Sequence, residues 1–96
     1  MLFHVTHTHT GESCPAHNPE LIRTTFGKML SSAEKIGVNV IGRYVDAPAH
    51  TVYFILGADS VEKLADFFEP ALKIGHAEIR PVEDGLAAVK RRMSEK

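Results

Sequence analysis

The residues of this 96-residue chain best suited to chemistry are six histidines and a single cysteine. They are unevenly spread. His4, His7, His9, Cys14 and His17 all lie within the first 17 residues, while His50 and His76 stand apart. Imidazoles suit Zn, Cu, Fe and Ni, and a thiolate favours Zn or Cu. A neutral imidazole is also a general base near physiological pH. The spacing His7-x-His9, then Cys14-x-x-His17, is not a standard zinc signature. The case for a site therefore depends on whether the fold gathers these side chains.

Six elements of alternating or helical periodicity precede a short terminal helix. Leu2 to His9 reads as a strand, with Phe3, Val5, His7 and His9 on one face. Thr10 to His17 is a loop. Asn18 is an expected N-cap, with Pro19 at the first helical position and Glu20 in the first turn. The first helix carries Ile22, Phe26, Met29, Leu30, Ala33 and Ile36 at helical spacing and stops at Gly37. Val38 to Asp46 is the second strand, Ala47-Pro48-Ala49 turns, and Thr51 to Gly57 is the third.

Pairing Asp46 with Thr51 sets Tyr44 opposite Tyr53 and Val45 opposite Val52. Ile41, Val45, Val52, Phe54 and Leu56 then face the helices. Val40, Gly42, Tyr44, Tyr53 and Ile55 face away. Asp59 or Ser60 caps a second helix with Val61, Leu64, Ala65, Phe68 and Leu72 as its apolar stripe, kinked or ended by Pro70. Ile74 to Val82 is the fourth strand. Asp84 caps the last helix, with Leu86, Val89 and Met93 along its apolar edge.

This order, βαββαβ, predicts one α+β ferredoxin-like domain over residues 1–96. Its antiparallel sheet has spatial order 4-1-3-2, with a C-terminal helix added. Helices cover one sheet face only. The other, with Leu2, Val40, Tyr44, Tyr53 and Ile55, is too apolar for water, so a homodimer is expected.

The topology also tests the histidines. The first strand ends where the third and fourth begin, and the first helix starts at the same edge. His7, His9, Cys14, His17 and His50 converge there on the helix side. They are the expected metal ligands, with His7, His9 and His17 central and Cys14 and His50 completing or flanking the site. His76 has the parity of the opposite face and is a weaker candidate. Glu12, Thr8 or Thr10 would hold the second ring nitrogens. Arg43 has the parity of the apolar face and either snorkels or anchors an anion. Tyr53, like Tyr44, is expected at the subunit interface more than as a proton donor.

The opening Met1-Leu2-Phe3-His4-Val5, with the element order and the length, resembles the dimeric α/β-barrel superfamily, which includes muconolactone isomerase and small monooxygenases. That resemblance implies two sheets packed face to face and a ligand pocket between sheet and helices. The His/Cys-rich segment from His7 to His17 is outside the isomerase pattern.

Net charge −1 argues against nucleic acid as a partner. No apolar run reaches the ~18 residues of a membrane span. The first residues lack the basic and apolar regions of a secretory leader. A lone cysteine cannot form an internal disulfide. A cytoplasmic location is expected.

The leading expectation is a Zn, Cu or Fe site binding or transforming a small molecule between sheet and first helix. The alternatives are a cofactor-free isomerase or monooxygenase-type enzyme with a histidine base, and a non-enzymatic binding or regulatory module.

Overall fold

A computed structural model describes residues 1–94 of the chain. Strands β1 (Leu2–His9), β2 (Asn39–Asp46), β3 (Thr51–Gly57) and β4 (Gly75–Val82) form one antiparallel sheet in the order β2-β3-β1-β4. This is the α+β ferredoxin-like arrangement expected from the sequence. The sheet is open; a single chain does not close it into a barrel.

Helix formation at the first crossover begins as the residues dictate. The Asn18 side chain accepts from the Leu21 N–H at 3.0 Å, and Pro19 opens α1 (Pro19–Ile22). The helix then widens into a π segment, Arg23–Gly27, before continuing as α2 (Lys28–Ile36). Two consecutive threonines stand at this point. The Thr25 hydroxyl donates to the Leu21 carbonyl at 2.6 Å, and the Thr24 hydroxyl to the same oxygen at 3.3 Å. Such back-bonding competes with the backbone ladder. Gly37, at φ 93°, ends α2, its N–H donating to the Ala33 carbonyl at 3.0 Å.

The core lies between this helical layer and the sheet. Cross-strand pairs Phe3–Leu56 and Val5–Phe54 supply the sheet side. Met29 and Ala33 of α2 and Leu64, Phe67, Phe68 and Ala71 of α3 (Val61–Leu72) supply the other. Phe54, Phe67 and Phe68 meet edge to face, with ring centroids 5.0–6.4 Å apart. Ser60, not Asp59, caps α3 by accepting from the Lys63 N–H.

Three expected details differ. The apolar stripe of α3 runs through Phe67 and Ala71, and Val61, Ala65 and Leu72 are exposed. Pro70 sits inside the last turns of α3, where the missing N–H interrupts only one helical bond, and the helix runs on to Leu72. In β2, a bulge between Val40 and Gly42 shifts the register. Val40 therefore pairs with Leu56 and packs against the core, and Ile41 is turned out and exposed. Beyond the bulge the expected pairs Tyr44–Tyr53 and Val45–Val52 are present.

The face of the sheet away from the helices is uncovered, with Ile41 and Tyr44 well exposed and Leu2, Tyr53 and Ile55 half-buried. Helix α4 (Gly85–Ser94) is capped by the Asp84 carboxylate, which accepts from the Ala87 N–H at 3.0 Å. Among the described residues α4 packs against no other element, and Leu86, Val89 and Met93 are exposed. Glu78 and Arg80 form an exposed ion pair on β4, worth under ~1 kcal/mol. No helix among the described residues is long and apolar enough to cross a membrane.

Candidate metal centre and its pocket

Antiparallel pairing brings the C-terminal end of β1 beside the start of β3. The His9 N–H donates to the His50 carbonyl at 3.0 Å. His50 closes the turn from β2, its N–H donating to the Ala47 carbonyl at 3.1 Å. It is the one described residue other than glycine with positive φ, at 49°. Holding a side-chain-bearing residue there costs on the order of 1 kcal/mol. The reward is a ring beside that of His9, with centroids 5.5 Å apart.

Cys14 comes from the loop after β1, and that loop is pinned. The Thr10 N–H donates to the Ser13 Oγ at 3.0 Å, and the Ser13 N–H to the Thr10 Oγ1 at 3.1 Å. The Ser13 hydroxyl donates to the Ile74 carbonyl at 2.7 Å, tying the loop to the start of β4. On the other side of Cys14, Pro15 is buried and its carbonyl accepts from the Asn18 N–H at 2.9 Å.

The outcome is a three-donor group. One ligand atom each from His9, Cys14 and His50 lies within 4.8 Å of the other two. Two nitrogens around a tetrahedral zinc sit about 3.4 Å apart, so small side-chain rotations would suffice to close the group on an ion. The Nδ1 atoms of His9 and His50, like that of His7, are buried with no hydrogen-bond partner. Such orphans are rare and call for a donor or a cation. Burial lowers the His9 pKa from its ordinary value, and the neighbouring His7 and His50 lower it further. The neutral ring is the metal-binding form.

His7 lies next door and does something else. It is fully buried, and its Nε2–H donates to the Ala71 carbonyl at 2.9 Å. That carbonyl belongs to the last turn of α3 and also accepts from the Ile74 N–H at 3.2 Å. The His7 ring also stands edge-on to Phe26, 5.2 Å between centroids. His7 thus fastens β1 to the end of α3. His7→Ala should cost roughly 2–4 kcal/mol through the cavity and the lost hydrogen bond to Ala71, with metal binding by the other three retained. Denaturant midpoints and metal titration of that variant check both halves.

Burial lowers the His7 pKa as well, outweighing the hydrogen bond to Ala71. A folded-state pKa below the unfolded one stabilises the protein above the unfolded value, about 6.5. That stability is lost as pH falls below it toward the folded value. The metal-free protein should therefore hold a constant denaturation midpoint above neutrality and lose stability on acidification.

The three donors stand at one end of a cavity of about 670 Å³. Ile22, Phe26 and Leu30 line it from the helical layer, and Val45, Val52 and Phe54 from the sheet. His17 and Arg43 also line it. The other expected participants are elsewhere. Glu12 is exposed and does not line the cavity, and Thr10 is engaged with Ser13. Tyr53 is on the opposite face of the sheet beside His4. His76 is exposed and pairs with Thr8 across β1 and β4. Sequence reasoning treated Phe26 as plain core or lining; its contacts with both His7 and His9 come from the π segment, which only the Thr24-Thr25 doublet foreshadows.

Residues 1–93 match the profile of a family described as a domain of unknown function, DUF3303. No curated protein matches the chain. Among solved structures it is similar to the crystal structure of protein Atu4242 from Agrobacterium tumefaciens, with a TM-score of 0.53 and 14% identity over 88% of this chain and 94% of that one. At that identity the likeness is one of fold.

Proposed function

The chain belongs to the DUF3303 family, and we propose that it binds one transition-metal ion per chain through His9, Cys14 and His50 and presents it to a small molecule in the adjoining cavity. The observation that carries this reading is the three-donor group itself, with both histidine Nδ1 atoms buried and unpartnered. Two imidazoles and a thiolate favour Zn or Cu over harder ions, with Fe also within the range of imidazole ligation. Three protein donors leave a position for water or a ligand, the pattern of catalytic rather than closed structural sites.

The protein is further proposed to work as a homodimer. The bare sheet face and the apolar edge of α4 support a second copy as their cover. The resemblance to the dimeric α/β-barrel superfamily points the same way.

Elemental analysis of tag-free protein, followed by cobalt(II) titration of the stripped protein, tests the centre. One equivalent with a near-ultraviolet thiolate-to-cobalt absorption, absent in Cys14→Ser, is the expected result. No binding, or an absorption unchanged in Cys14→Ser, would overturn it. Sedimentation of the same sample should give twice the 10.6 kDa chain mass.

A further inference from the structure

We infer that the cavity beside the three-donor group takes a small organic carboxylate, with its apolar body among Phe26, Leu30, Val45 and Phe54 and its carboxylate on Arg43. The inference deepens the small-molecule half of the reading above and does not depend on which metal is bound.

The walls of the cavity are apolar on both sides, which selects a ligand with an apolar body. Charge is confined to few places. Arg43 stands on β2 opposite Phe54, on the helix-facing side, and lines the cavity. Among the described residues it has no ion-pair partner; the four pairs present all lie elsewhere. Asp46 is the one carboxylate lining the cavity, and it is engaged in its own turn, accepting from the Ala49 N–H at 3.3 Å. The guanidinium is thus the unmatched charge. Its planar fork is suited to bidentate pairing with a carboxylate. A divalent ion held by one thiolate would add a net positive charge at the far end and favour an anion further.

The register sets the size. Phe54, the neighbour of Arg43, is four residues beyond His50, which immediately precedes β3. That is at most about 13 Å of chain. Both side chains line the intervening space, so a body of one ring or a short alkyl chain spans what remains.

Phenylacetate and octanoate are the probes, with phenylacetamide as the neutral isostere of the first. Binding is followed by calorimetry and by the imidazole proton resonances of His9 and His50, on the stripped and the zinc-loaded protein. Phenylacetate or octanoate should bind the stripped protein. Phenylacetamide should bind about tenfold or more weakly than phenylacetate, the discrimination expected of one charge-assisted hydrogen-bond pair. Arg43→Gln should abolish that discrimination, and Arg43→Lys should restore part of it.

Equal binding of acid and amide would overturn the inference, as would an unchanged preference in Arg43→Gln. So would no binding of either carboxylate. Tighter binding of phenethylammonium would overturn it in favour of Asp46. Because the titration is run without metal, a failure here leaves the metal centre standing. A protein that binds the acid yet takes no metal sinks the centre alone.

Discussion

Gly75→Ala should be among the least stable single variants of this chain. Gly75 opens β4 opposite His9, and the backbone there runs so close to β1 that a Cβ would lie 2.2 Å from the Thr8 carbonyl oxygen and 2.9 Å from the His7 Cε1. The first of these neighbours is backbone and cannot swing aside. The second is a ring pinned by its bond to Ala71. Relief requires separating β4 from β1, which breaks sheet pairing at the point where Ser13 also ties the loop to Ile74. The expected cost is roughly 3 kcal/mol or more, at the upper end for overpacking. For a 96-residue chain that is a large part of total stability. Urea unfolding of Gly75→Ala, with Gly85→Ala as the comparison, checks the size. A Cβ at Gly85 meets nothing, and that variant should unfold within about 1 kcal/mol of the parent.

The second large effect concerns metal affinity. His50→Ala and His9→Ala should each weaken zinc binding by about a hundredfold or more, because structural zinc sites draw some 10–16 kcal/mol from about four ligands. The two variants should differ in another respect. His50 sits at positive φ, so replacing it by glycine relieves strain as well as removing a ligand. His50→Gly should therefore match His50→Ala in lost affinity yet be the more stable of the two without metal. Competition against a chelating indicator gives the affinities, and thermal melts of stripped protein give the stabilities. A metal affinity unaffected by either histidine would remove the centre from consideration.

Much of what frames this site was legible in the residues. The alternation in β1 put His7 and His9 on the helix side, and pairing Asp46 with Thr51 set His50 near them. What alternation cannot reveal is how each ring nitrogen is spent. His7 shares the parity of His9, yet its Nε2 is committed to a carbonyl 64 residues away. Only the packing of α3 across the sheet creates that partner. The bulge at Ile41 was likewise silent, since Val40 and Ile41 are both apolar β-branched residues that suit either face. In α3, Phe67 and Phe68 are adjacent, and a stripe of helical period keeps only one of them. Both are buried because α3 is covered by the sheet on one flank and by the preceding helical layer on the other.

The π segment also gives the molecule a length adjustment. Five residues, Arg23–Gly27, wind more widely than an α-helix would, and among them Phe26 lines the cavity and stands 6.5 Å, centroid to centroid, from the His9 ring. A chain shorter by one residue here would wind as plain α-helix. Each residue turns a helix by about 100°, so Ile22 and the start of the helix would rotate away from the cavity while His9 and His50 kept their anchors on the sheet. Losing one residue here would reshape the cavity wall formed by Ile22 without moving the two sheet-borne histidines.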